Sequence, residues 1–267
     1  MRNGKGRDFV RVALIQMKVE EKNRRLNVCR ALSLLKEACG KADAAVLPEV
    51  WTTGYSLGAL RKEAEWPGSP LLEEIAGIAR EGRLAVIAGS VPFRRADGRV
   101  CNTTLVFDKQ GDIVADYDKM HMFSLYNEAR YFSPGGKKTQ VILNGVNCGL
   151  AICYDLRFPE LFRALAVNGA EAVFLPAEWP RARGLAWRIL VQARAVENQL
   201  YMCAVNCVGK FKNDHFYGHS AIVSPLGEII AEGSEEEAII YGDIEAAAVA
   251  EARSAMSVLK DARRDIY

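Results

Sequence analysis

Cys153 ends an apolar run and opens a polar one, in Asn147-Cys-Gly-Leu-Ala-Ile-Cys153-Tyr-Asp-Leu-Arg-Phe-Pro159-Glu160. Pro159 stands where a helix can begin, so the cysteine falls on a strand-to-helix bend. Such a bend can aim a sulfur into a pocket while backbone N–H groups of the turn point the same way, as donors for a developing oxyanion. A thiol at its ordinary value is only about 3% thiolate at pH 7, so a nucleophilic cysteine needs a base or a cation beside it. The competing reading is that a buried cysteine is a small apolar residue. That reading suits Cys29, Cys39, Cys101, Cys148, Cys203 and Cys207, which lack such a position.

Histidine is the usual partner, yet His121, His215 and His219 lie beside aromatic or glycine residues without the Asn or Asp pattern of a Cys-His protease. His215 and His219 are separated by Tyr217-Gly218, which breaks a helix, so they do not form a metal pair. Seven cysteines, none in a CxxC, and three histidines disfavour a zinc module and a disulfide framework, so no metal cofactor is expected. Two better-placed partners exist. Glu49 follows the run 44–48 and precedes the turn-rich Trp51-Thr-Thr-Gly-Tyr55, and Lys119 closes a second run, Ala115-Asp-Tyr-Asp-Lys119. A carboxylate, an amine and a thiol at strand ends can gather at one edge of a sheet, where α/β folds collect reacting groups. Taken singly, each charged residue could equally be a solvated surface group.

The elements that must position them follow from periodicity. Strand-like runs fall at 9–17, 44–47, 84–91, 100–107, 113–117, 140–143, 147–153, 172–175, 200–205, 220–224, 228–231 and 238–243. Helical spacing of apolar residues marks 23–39, 70–81, 159–168, 184–198 and 244–254. Asp108-Lys-Gln-Gly-Asp112, Asn144-Gly145 and Ser224-Pro-Leu-Gly-Glu228 carry the glycine or proline that hairpins need. So many short strands predict more than one sheet, in a single mixed α/β domain over 1–267 with helices outside. Lys+Arg 35 against Asp+Glu 33 leaves a formal charge of +2, too little to hold a phosphate backbone or an anionic membrane. No apolar run reaches the roughly 18 residues a membrane span needs. The charged start, residues 1–8, does not read as a signal peptide. A cytoplasmic location with free thiols is therefore expected.

With these residues in hand, the chain resembles the nitrilase superfamily of carbon–nitrogen hydrolases. The resemblance rests on Leu47-Pro-Glu49, Tyr117-Asp-Lys119-Met-His and Gly149-Leu-Ala-Ile-Cys153-Tyr-Asp-Leu-Arg-Phe-Pro-Glu160, in that order. It extends from Val12-Ala-Leu-Ile-Gln16 through Arg194-Ala-Val-Glu-Asn198 and Gly218-His-Ser220 to Ser224-Pro-Leu-Gly227. Within the superfamily it is most similar to the ω-amidases, which act on the side-chain amides of deaminated glutamine and asparagine. The features shared with that branch are the short Lys119-to-Glu128 connection, Pro176-Ala-Glu-Trp-Pro180 followed by Trp187, the run Gln192 to Gln199, and the tail from Leu259.

The resemblance implies a four-layer α-β-β-α sandwich of two mixed sheets. It assigns Glu49 as general base, Glu128 as the second active-site glutamate, Lys119 and the backbone N–H of Tyr154 as oxyanion donors, and Cys153 as the nucleophile of a thioester route. A small dicarboxylate monoamide also presents a far carboxylate, which a guanidinium fork suits. Arg181, Arg183 and Arg188 are the candidates to hold it, and Tyr55, Phe123 and Trp179 to wall the pocket, unless those rings are simply core. Asp155 and Arg157 are expected to brace the nucleophile turn. A homodimer or larger oligomer is implied, built on helices flanking the nucleophile, with 245–267 as an extended arm anchored by Ile266 and Tyr267. The alternatives are a nitrilase, an N-carbamoyl amide hydrolase, a deaminated-glutathione amidase, or a non-catalytic binding protein on the same fold.

Overall fold

The computed structural model describes residues 9–56, 58, 60–211 and 214–266, so the charged start and Tyr267 lie outside it. Two sheets stack face to face. In the first, β16 (Ala238–Ile244), β1 (Val10–Gln16), β3 (Ala44–Val46), β4 (Ala85–Ile87), β6 (Val100–Phe107) and β5 (Val91–Arg94) follow in order, with β7 (Ile113–Asp118) also paired to β6. The second runs β15 (Ile229–Glu232), β14 (Ala221–Val223), β11 (Tyr201–Asn206), β10 (Ala172–Ala177), β9 (Val146–Leu150) and β8 (Gln140–Leu143). Each has the same plan, three parallel strands flanked by antiparallel ones: β1, β3 and β4 in one, β9, β10 and β11 in the other. The three glycine- or proline-bearing links make the hairpins β6–β7, β8–β9 and β14–β15.

Strand alternation explains the layers. Val10, Val12 and Leu14 of β1 face the second sheet, whereas Ala13 and Ile15, with Met17 beyond, face the helices. The same division holds for Ala44 and Val46 against Ala45 and Leu47. Helices α1 (Arg24–Ala38) and α2 (Pro70–Gly82) cover the outer side of the first sheet; α3 (Pro159–Val167) and α4 (Gly184–Asn198) cover the second. Asn23 caps α1 by accepting from the Leu26 N–H at 3.2 Å, and Pro70 opens α2. The result is the α-β-β-α sandwich that the resemblance implies.

Two local outcomes depart from the periodicity, and one departs from what the resemblance implies. The run 84–91 divides into β4 and β5, because Gly89 at φ 61° turns the chain where a Cβ would stand 2.0 Å from the Pro48 carbonyl oxygen. A third, small sheet of β13 (Asp214–His215), β12 (Val208–Phe211) and β2 (Lys18–Glu20) carries charged residues that masked its strands. The segment after Ile244 is helical, as α5 (Ala246–Ala255) and α6 (Val258–Asp261), which agrees with the helical spacing at 244–254 and corrects the extended arm that the resemblance implies. Val249 and Ala252 of α5 are buried against the chain's own core, and Gln199 Nε2 donates to the Ala252 and Met256 carbonyls, both at 2.9 Å. Among the described residues, no helix is long and apolar enough to cross a membrane.

Candidate active site

Strand ends of both sheets meet at one place. Beyond β3, Pro48 and Glu49 enter a turn in which Val50 adopts φ 33°, and the Glu49 N–H donates across to the Ala177 carbonyl of β10 at 3.4 Å. Ser90 holds this turn, its N–H donating to Pro48 and its hydroxyl accepting from the Val50 N–H, both at 3.0 Å. Lys119 follows β7, its N–H on the Asn102 carbonyl at 2.9 Å and its carbonyl accepting from Gly135 at 2.8 Å. A Cβ at position 135 would stand 2.1 Å from the Asp118 carbonyl oxygen, so glycine permits that approach. β9 stops at Leu150, and Cys153 opens a short 3-10 turn to Arg157 at φ 43°. A left-handed conformation at a residue with a side chain is strained, and the surroundings must impose it.

Asp155 imposes it here. Its carboxylate accepts from the Ile152 N–H at 2.9 Å, the Tyr117 hydroxyl at 2.8 Å and the His121 N–H at 3.0 Å, with the His121 ring nitrogen at 2.7 Å. The Cys153 turn is thus tied to the segment that carries Lys119. Asp155 occupies the bracing position expected of it.

Glu49, Lys119 and Glu128 are fully buried. Lys119 Nζ lies 2.7 Å from Glu49 Oε1 and 3.0 and 2.9 Å from the two Glu128 oxygens. Glu49 Oε1 also accepts from the Tyr55 hydroxyl at 2.8 Å and from Asn102 Nδ2 at 2.9 Å, and Glu49 Oε2 accepts from the Glu178 N–H at 3.1 Å. Glu128 Oε1 shares the Asn102 amide at 3.0 Å, while Oε2 takes the Phe123 N–H at 2.7 Å. Burial alone pulls the Lys119 ammonium down, but Glu128 and Glu49 outweigh it and hold the lysine above its ordinary value, cationic at neutral pH. Burial pushes the Glu128 carboxyl up, with Lys119 opposing and Glu49 adding to the rise.

Burial, and then the charge of the neighbouring Glu49, push the Cys153 thiol well above its ordinary value. The sulfur therefore rests as a thiol rather than a thiolate. A carboxylate beside a neutral thiol, with a locked ammonium on the same carboxylate, is an arrangement for moving the proton as the sulfur attacks.

A recess opens onto Cys153. Tyr55, Phe123, Tyr154 and Trp179 line it, with Arg183 and Arg157. Arg157 lies over the Trp179 ring at 5.0 Å and Arg183 over Phe123 at 5.7 Å, and among the described residues neither guanidinium has a carboxylate at ion-pair distance. Arg157, expected to brace the nucleophile turn, instead faces this recess. Arg181 and Arg188 do not line it. Arg181 pairs with Glu235 at 3.1 Å and Arg188 with Glu232 at 3.4 Å, both outside, because neighbouring positions of a helical turn point in different directions.

Two residues that the periodicity did not single out belong here. Asn102 stands inside β6, where Asn102-Thr-Thr interrupts an apolar strand, and that interruption is the available signal. Glu178 directly follows β10 and enters the recess lining, a strand-end carboxylate like Glu49. Among the described residues, no group of three or more His, Cys, Asp or Glu is placed to hold a metal ion.

Comparison with known proteins decides the family. The model of the family described as "Carbon-nitrogen hydrolase" matches residues 11–254. The chain belongs to the carbon–nitrogen hydrolase family. A similar relative is the 2-oxoglutaramate amidase of Bacillus subtilis, 39% identical over 90% of this chain and 93% of that one. The human omega-amidase NIT2 is 33% identical, with 96% of each chain covered. Among solved structures, Saccharomyces cerevisiae Nit3, described as a member of branch 10 of the nitrilase superfamily, superposes with a TM-score of 0.88 at 29% identity, covering 96% of this chain and 97% of that one. The carbon–nitrogen hydrolase fold and the recess with its buried thiol thus occur in one molecule.

Proposed function

We propose that this carbon–nitrogen hydrolase is an ω-amidase, which converts the terminal amide of a small ω-amido dicarboxylate, such as 2-oxoglutaramate or 2-oxosuccinamate, to the acid and ammonia. The observation that carries the reading is a recess lined by the Cys153 thiol and by two arginines that, among the described residues, have no carboxylate at ion-pair distance. Arg183 and Arg157 would grip the far carboxylate while the amide carbon meets Cys153. The relatives named for amides of this kind support it.

In this reading Glu49 takes the Cys153 proton as the sulfur bonds to the amide carbon. The oxyanion is stabilised by Lys119 and by the Tyr154 N–H, near the start of a 3-10 turn whose first donors lack acceptors within the turn. Glu49 returns the proton to nitrogen, the C–N bond breaks, ammonia leaves and a thioester remains. Glu49 then takes a proton from water, the hydroxide displaces the sulfur, and the acid departs as the thiol regains its proton. Glu128 keeps Lys119 in place and charged throughout.

We further infer that residues 1–267 act as one catalytic unit in the cytoplasm, where free thiols are kept reduced, and that two copies associate. Leu185, Ile189 and Val196 lie exposed along one stripe of α4, with Leu226 beside the β14–β15 turn. Light scattering should give a dimer or larger species, and Ile189→Asp should shift it toward the monomer.

The function is tested by ammonia release from 2-oxoglutaramate, a nitrile, N-carbamoyl-β-alanine and deaminated glutathione. Turnover of the first, lost in Cys153→Ala, is expected. No activity on it with turnover of another overturns the ω-amidase assignment, and an absence of any acyl adduct on Cys153 by intact mass overturns the thioester route.

A further inference from the structure

Glu178 is assigned no part in the steps above, yet its backbone N–H donates to Glu49 Oε2 at 3.1 Å, and it lines the recess with Cys153. The side chain is 2% exposed. Neither of its carboxyl oxygens meets an N–H or O–H donor among the described residues. The Cys207 thiol beside it is a weak donor, and the space near Oε1 is the bare side of Gly54, where an added Cβ would still stand 3.8 Å away. A buried carboxyl without donors costs free energy unless a ligand supplies them.

A primary amide supplies such donors. Its carbonyl oxygen goes to Lys119 and Tyr154, which leaves two N–H groups on the reacting nitrogen in need of acceptors. The recess lining offers cations, rings and a thiol, and Glu178 is the carboxyl-bearing residue among them. We propose that the Glu178 side chain accepts the N–H groups of the scissile amide, and so sets a preference for unsubstituted primary amides. The inference rests on the amidase reading and adds the recognition of the leaving nitrogen to it. Burial and the Glu49 charge push the Glu178 carboxyl well up, and a neutral carboxyl still presents its carbonyl oxygen as an acceptor.

The test compares a primary amide with the methyl ester of the same ω-carboxyl group, because both acylate Cys153 and only the amide brings N–H donors. In Glu178→Leu, kcat/KM on the amide should fall about 10- to 100-fold, while that on the ester falls less than about threefold. Glu178→Gln, which keeps one carbonyl oxygen, should recover part of the amide rate. A structural role would depress amide and ester alike, and that result, or an unchanged amide rate, overturns the proposal. If the wild-type enzyme ignores 2-oxoglutaramate but cleaves another primary amide, the same ratio is measured on that amide, so the two readings fail separately. Ester turnover by the variants reports that they are folded.

Discussion

Two groups of carboxyls sit within reach of the same thiol and are treated in opposite ways. Around Lys119, every oxygen of Glu49 and Glu128 is occupied by a donor: the ammonium, the Asn102 amide, the Tyr55 hydroxyl, or the N–H of Phe123 or Glu178. On the recess side, among the described residues, Glu178 has neither oxygen paired with an N–H or O–H group, and Arg157 and Arg183 have no carboxylate at ion-pair distance. A buried cluster whose carboxyl oxygens are all paired is rigid, because any displaced group loses a bond that water cannot replace. An unsaturated one is costly alone and is relieved by a ligand. The difference separates the part of the site that must hold its shape from the part that must accept a substrate.

The comparison is broken most severely at Lys119. Lys119→Met leaves Glu49 and Glu128 facing each other in the interior without a cation, and removing one member of a buried ion network costs about 3–5 kcal/mol. Urea unfolding should show a loss of that size, together with a fall in amide turnover of more than about 10³-fold. Stability close to that of the parent would mean that the carboxylates are not held as a charged pair.

Asn102→Leu is the milder break. It removes the amide that bridges Glu49 Oε1 and Glu128 Oε1, and leaves Glu49 to Lys119, the Tyr55 hydroxyl and the Glu178 N–H. Loss of a bond to a buried carboxylate should cost about 1.5–3 kcal/mol in unfolding free energy. A misaligned base should lower kcat about 10-fold with little change in KM. An effect confined to KM would place Asn102 in substrate binding instead.

The smallest effect sharpens the other side. Because the folded state raises Glu178, it keeps a proton that the unfolded chain releases above the ordinary carboxylate range, so the parent loses stability as pH rises through that range. Glutamine does not titrate and escapes this loss. The melting temperature of Glu178→Gln relative to the parent should therefore climb between pH 4.5 and pH 8 by a few degrees, at about 2–4 °C per kcal/mol. A difference that stays flat or reverses would show that Glu178 is ionised at no cost.

Much of this was legible before folding, and for a physical reason. The hairpin glycines, the apolar alternation and the strand-end positions of Glu49, Lys119 and Cys153 are local properties, carried by one stretch of chain each. The divided run 84–91 was not, because Gly89 yields to the Pro48 carbonyl, which comes from another strand. Asn102 in an apolar strand gives no hint of whether it faces water or two carboxylates. The arginines after β10 look alike in sequence, and the direction of a helical turn turns Arg183 inward while Arg181 meets Glu235.

The amino-acid sequence by itself determined which residue types stand at the strand ends, and with them the family and the chemistry open to it. Only the packing of sheet on sheet decided which carboxylates share a cation, which lies without donors, and which guanidiniums face the thiol. Those outcomes depend on distances between segments far apart in the chain, and in a low-dielectric interior a difference of an ångström or two separates a paired group from an orphan.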